Sequence, residues 1–193
     1  MKKITEVRFH GRGGQGAKTA SLLLGKAALE AGKYIQAFPE YGPERTGAPM
    51  KSYTRISDDE IRIHSGVTSP DIVVVVDPTL LDSVNVMEGL IEDGKIIVNT
   101  EKSPSEIREK INPGKNQKVF TVDATRIALD TLGRPVMNVP MLGALVKVTE
   151  IVDLEVLKSL IEKYFKSKLS QKGVQGNLDG IKKACEEVKQ END

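Results

Sequence analysis

The segment Gly11-Arg12-Gly13-Gly14-Gln15-Gly16 packs four glycines into six residues between two strongly patterned stretches. Residues 4–10 read as a strand that runs straight into it. Beyond it, Ala20, Leu23, Leu24, Ala27, Ala28 and Ala31 recur at three and four over residues 17–31, the spacing of a helix that Gly32 stops. A glycine-rich turn from strand into helix lets the backbone approach a pyrophosphate closely, and the helix N-terminus offers unpaired N–H groups to the anion. Four glycines exceed what packing a helix on a strand requires.

The motif alone leaves its ligand open. A dinucleotide dehydrogenase needs an acid at the end of the second strand to hold a ribose hydroxyl. Glu40 is at about the right distance, but it follows Pro39 in an irregular stretch. A P-loop NTPase needs Lys-Ser/Thr directly after the last glycine. Here Ala17 intervenes before Lys18-Thr19, which turns the lysine by ~100° round the helix. The strand ending at Asp77 imitates a Walker B element, yet every doubly wound sheet carries such a strand. A stand-alone NAD(P)-dependent dehydrogenase using the glycine loop stays as the alternative reading, with a divergent ATPase behind it.

Strand and helix periods alternate along the rest of the chain. Residues 34–38 form a short second strand. The stretch 39–49, with Gly42, Pro43, Gly47 and Pro49, reads as a loop. Residues 50–56 and 61–64 flank Ser57-Asp58-Asp59-Glu60 as an antiparallel hairpin. The apolar run in 71–77 is a central strand covered on both faces. Further strands are expected at 95–99 and 118–122, with helices at 80–91 and 104–111. From Ala124 onward only helices are expected: 125–132, 140–149, 154–165 capped by Asp153, and 178–189 capped by Asn177. The whole chain, 1–193, reads as one α/β domain: a Rossmann-like layer sandwich with a β-hairpin insertion and a helical C-terminal third.

Composition narrows the function. With 28 Lys and Arg against 27 Asp and Glu, the net charge is +1, which argues against nucleic acid or a membrane surface as partner. One cysteine, Cys185, excludes an intrachain disulfide, a cysteine zinc cage or an iron–sulfur cluster held by this chain alone. Glu6 follows Lys2 and Lys3 too soon for a signal peptide, and the longest apolar run, 72–76, is far short of a span of ~20 residues. A soluble protein of the reducing cytoplasm is expected.

A second cluster, Phe38-Pro39-Glu40-Tyr41-Gly42-Pro43-Glu44-Arg45-Thr46-Gly47-Ala48-Pro49, starts at the edge of the sheet where the glycine loop lies, the edge at which open α/β sheets bind ligands. Together the two segments resemble the gamma subunit of 2-oxoacid:ferredoxin oxidoreductases, in particular the pyruvate:ferredoxin oxidoreductases. The likeness extends over nearly the whole chain and includes Asn138-Val139-Pro140-Met141-Leu142-Gly143-Ala144. Relatives that use 2-oxoglutarate or indolepyruvate carry a Gly-Gly pair where this chain has Thr46-Gly47-Ala48-Pro49, so the pyruvate or branched-chain type is favoured.

The resemblance implies a heteromeric enzyme that converts a 2-oxoacid and coenzyme A to acyl-CoA and carbon dioxide and passes electrons to ferredoxin. It implies thiamine diphosphate with magnesium and [4Fe–4S] clusters on partner alpha, beta and delta subunits, with this chain on the coenzyme A side and inactive alone. The expected binding set is Gly11, Arg12, Gly13, Gly14, Gln15, Gly16, Lys18, Tyr41 and Arg45, with Arg12, Lys18 and Arg45 as charge partners for an anion. Residues 1–62 hold 11 basic and 7 acidic side chains, which puts a mild positive excess beside the loop. His10, His64 and Cys185 read as structural, and no catalytic trio or metal set is expected.

Overall fold

In the computed structural model, which describes residues 4–40 and 47–191, seven strands form one sheet in the order β2-β3-β1-β4-β5-β6-β7. They are β1 (Thr5–Arg12), β2 (Tyr34–Glu40), β3 (Pro49–Ser57), β4 (Ile72–Val75), β5 (Lys95–Asn99), β6 (Lys118–Val122) and β7 (Lys189–Gln190). The centre, β1-β4-β5-β6, is parallel, while β3 is antiparallel to both β1 and β2 and β7 is antiparallel to β6. The helices are α1 (Ala17–Glu30), α2 (Pro104–Ile111), α3 (Ala124–Leu132), α4 (Asn138–Thr149), α5 (Leu154–Lys166) and α6 (Gln171–Glu187). Each face of the central strands carries its own core. Val7, Phe9, Val74 and Ile97 pack under α1 and α3–α6, whereas Val73, Val75, Ile96 and Val98 pack under a 3₁₀ turn (Pro78–Asp82) and α2. This is why β4 is a run of valines: neither of its faces meets water.

Local signals set most boundaries. Ser103 and Glu106 form a capping box at α2, and Asp153 accepts from the N–H groups of Glu155 and Val156 at α5. The expected hairpin of 50–56 with 61–64 does not form. β3 pairs with β2, and because β1 occupies its other edge, residues 61–64 have no strand to join. Their carbonyls at Ile61 and Ile63 accept instead from the Gln36 amide.

Three other expectations are corrected. Residues 80–91 form no helix beyond the 3₁₀ turn, because the Arg8 guanidinium takes the carbonyls of Val86 and Glu88 at 3.0 and 2.6 Å. Strands do not end at Ala124, since β7 closes the far edge of the sheet. The last helix begins at Gln171 with Ser170 as its cap, and Asn177 lies inside it. Gly173 and Gly176 weaken helix propensity there, but Gly176 lets α6 approach α3: a Cβ at that position would lie 2.4 Å from the carbonyl oxygen of Thr131. Gly176→Ala is therefore expected to lower stability by about 1–3 kcal/mol. Urea unfolding of the full chain checks this, and a gain of the kind that Gly→Ala gives in an open helix would contradict the close contact.

Candidate functional site

β1 runs two residues into the glycine cluster because β3 keeps pairing with it as far as Gly11↔Met50 and Arg12↔Pro49. The two sequence clusters are thereby joined. Gly13 N–H donates to the Ala48 carbonyl at 3.0 Å, and Gly47 N–H donates to the Gly13 carbonyl at 3.1 Å. Gly14 (φ +96°) and Gly16 (φ +86°) then turn the chain through the left-handed region that glycine enters without strain. Around Gly14 there is open space where a side chain would stand, whereas Gly16 lies against the amide of Asn138, the first residue of α4. Gly16 is also the N-cap of α1, and no side chain caps that helix. The first-turn N–H groups, which have no acceptor within the helix, and the positive end of its dipole therefore face the loop.

The loop is fastened by one carboxylate. Asp77, just beyond β4 and buried, accepts from Gln15 Nε2 at 2.7 Å and Arg12 Nε at 3.1 Å through Oδ2, and from Thr79 N and Thr79 Oγ1 at 2.9 and 2.7 Å through Oδ1. Gln15 closes the ring by accepting Arg12 N–H at 2.8 Å, while Arg12 Nη1 reaches the Gly47 carbonyl at 3.2 Å. Burial alone would raise the Asp77 carboxyl. The bonds from Thr79 and Gln15, with the charge of Arg12, outweigh it and hold the group below its ordinary value. Much of the Arg12 charge is thus met inside the protein by Asp77.

Beneath the loop, on the face of β1 opposite α1, His10 is 1% exposed and its Nε2 has no partner among the described residues. Burial first, then the nearby charges of Arg8 and Lys51, lower its pKa from 6.5 to about 3, so the ring is neutral. The ring is thus buried and neutral, with one nitrogen unsatisfied.

The structure brings Gly11, Arg12, Gly13, Gly14, Gln15 and Gly16 together with an exposed Lys18 on the first turn of α1. Tyr41 and Arg45 lie outside the described residues. Two participants were not singled out as site residues: Asp77, whose strand looked generic, and Asn138, whose position depends on how α4 packs. The dehydrogenase alternative loses its second anchor. β3 stands between β1 and β2, so Glu40 ends two strands away from the glycine loop, about 9–10 Å across the sheet. It already accepts from the Tyr53 hydroxyl.

A Rossmann-like sheet with a glycine loop at its carboxyl edge, bonded to an inserted antiparallel hairpin, defines the class of α/β chain. Comparison with known proteins makes this specific. The family model for pyruvate ferredoxin/flavodoxin oxidoreductase matches residues 6–187. The chain is 54% identical over 188 residues to the pyruvate synthase subunit PorC of Thermotoga maritima, covering 97% of this chain and 96% of that one. It is 49% identical over 180 residues to the gamma subunit common to the pyruvate and ketoisovalerate oxidoreductases of Pyrococcus abyssi, covering 93% and 97%. A crystal structure of the Thermotoga maritima pyruvate oxidoreductase subunit PORC superposes with a TM-score of 0.87 at 50% identity, covering 99% of this chain and 100% of that one. The chain belongs to the pyruvate ferredoxin/flavodoxin oxidoreductase family, as a gamma-type subunit.

The buried His10 gives an acid signature. Unfolded, the ring takes a proton as pH drops through about 6.5; folded, it does so only near 3. Between those values the unfolded state holds more protons, so this group withdraws stability as pH falls, and it contributes nothing to the pH dependence above that window. His10→Asn is expected to flatten the decline of the urea midpoint between about pH 6.5 and pH 4 relative to the parent chain. Parallel curves for the two proteins would show that His10 is not held neutral.

Proposed function

We propose that this chain is the gamma subunit of a cytoplasmic pyruvate:ferredoxin oxidoreductase, which turns pyruvate, coenzyme A and oxidised ferredoxin into acetyl-CoA, carbon dioxide and reduced ferredoxin. In this reading the chain works as one domain that receives an anionic part of coenzyme A and docks against alpha, beta and delta subunits. The observation that carries the coenzyme role is the uncapped start of α1 at the glycine loop, held open by the Gly13–Ala48 and Gly47–Gly13 bonds. Phosphate oxygens suit such a cradle because N–H groups meet them without a compensating charge nearby. Gly14 leaves room for the ligand, Lys18 adds charge at the rim, and Arg12 holds the loop's shape through Asp77.

The redox chemistry falls to the partners. One cysteine cannot supply the four thiolates of a [4Fe–4S] cluster, so the clusters belong on other subunits, and membership of the family assigns thiamine diphosphate to them as well. Among the described residues no helix is long and apolar enough to cross a membrane. Two of the named relatives differ in whether ketoisovalerate is also used, and pyruvate is common to both names.

Reconstitution tests the proposal. The chain alone should give no pyruvate-dependent dye reduction, and adding alpha, beta and delta subunits should restore it. In the restored complex, Gly14→Val places a side chain in the open part of the cradle at a backbone cost of about 1–2 kcal/mol. The KM for coenzyme A should rise at least about tenfold with the KM for pyruvate little changed. Equal changes in both constants would make the loop structural, and activity of the lone chain with a nicotinamide nucleotide would overturn the assignment.

A further inference from the structure

The face of the sheet turned away from α1 holds a pocket that shares no residue with the glycine loop. Its floor is one row across three strands, where Arg8 of β1 pairs with Tyr53 of β3 and Tyr53 pairs with Phe38 of β2. Residues 66–68 and Glu88 wall it, and it encloses about 450 Å³, the size of a small-molecule site. The rings of Phe38 and Tyr53 lie with their centroids 5.4 Å apart, and Pro39 and Val67 extend the apolar lining.

The lining also holds a charge that the chain leaves unmatched. Arg8 is 3% exposed, and among the described residues no carboxylate forms an ion pair with it. Its Nη2 donates to the carbonyls of Val86 and Glu88, while its Nε has no partner among the described residues. Burial lowers the guanidinium below its ordinary pKa and outweighs the more distant pull of Tyr53, Glu88 and Glu40. Both carboxylates that line the pocket are committed elsewhere. Glu40 accepts from the Tyr53 hydroxyl, and Glu88 lies 4.0 Å from Lys51. A buried cation without a paired charge is costly to keep.

We propose that this pocket is a binding site for a small organic monocarboxylate, whose charge pairs with the Arg8 guanidinium and whose apolar body lies on Phe38 and Tyr53. The planar guanidinium matches a carboxylate in shape as well as in charge. A phosphate monoester or a dicarboxylate would bring a second negative charge against Glu40 and Glu88, so the site takes one charge only. The proposal stands apart from the coenzyme A reading, and the failure of either leaves the other intact.

Benzoate is the probe, with benzamide as its neutral isostere. The chain has four tyrosines, four phenylalanines and no tryptophan, so the aromatic NMR signals of Tyr53 and Phe38 can be followed one by one. Benzoate titrated into the full chain should shift both signals saturably, with a Kd of about 1 mM or tighter, and benzamide should bind at least about tenfold more weakly. Arg8→Met removes the charge and should weaken benzoate by about tenfold to a hundredfold while leaving benzamide unchanged. Arg8 also holds the segment at Val86 and Glu88, so if that variant does not fold, Gly66→Leu decides. Gly66 lines the pocket, and no atom lies within 4 Å of the place its Cβ would take. A leucine there should fill the mouth and abolish the benzoate shift with the thermal midpoint unchanged. Absence of a saturable shift, equal binding of benzamide, or undiminished benzoate binding in the variant that folds overturns the proposal.

Discussion

The Asp77 carboxylate ties together elements that the chain itself keeps far apart. It sits where β4 ends, takes two bonds from Thr79 at the start of the 3₁₀ turn, and takes two more from Arg12 and Gln15 in the glycine loop. A glycine-rich turn has high conformational entropy when free, so it acts as a preformed cradle only where something else holds it. Here that constraint is a buried acceptor whose own burial cost is met by donors on both oxygens. The loop at the start of α1 is thereby held in place by the chain's own contacts.

The second determinant is the insertion of β3 between β1 and β2. Eight paired positions run from Thr5↔Ile56 to Arg12↔Pro49, and they deliver Ala48 and Gly47 to the backbone of Gly13. On the helix side, the hydroxyls of Ser52 and Thr54 donate to the carbonyls of Ala17 and Ser21, seating α1 on the inserted strand. The same insertion displaces β2 from the place it would need in a dinucleotide fold. One strand thus separates Glu40 from the glycine loop and at the same time bonds that loop to the hairpin.

Much of this was legible in the residues. The glycine loop, the buried valine strand, the central parallel strands and the helix capped by Asp153 carry short-range signals, and they appear where those signals put them. What was misread depended on distant partners. Residues 61–64 alternate like a strand, but β3 has no free edge to give them. Residues 80–91 have helical spacing, but a buried arginine from β1 takes two of the carbonyls a helix would use. Gly176 argues against a helix until α3 is placed beside it. At the candidate site, the glycine-rich turn from strand into helix was visible in advance. The roles of Asp77 and Asn138 were not, since each depends on a contact across more than sixty residues of chain.

The two halves of the sheet are built from different materials. The parallel half is dry on both faces, while the hairpin half carries Arg8, His10 and the Glu6–Arg55 pair, at 2.7 Å, on the side away from α1. Removing charges from water costs less as temperature rises, whereas the gain from burying apolar surface levels off. Heating therefore shifts the relative weight of stabilisation toward the charged side. The strands that carry the glycine loop are the part of the sheet whose relative share of the cohesion grows on warming.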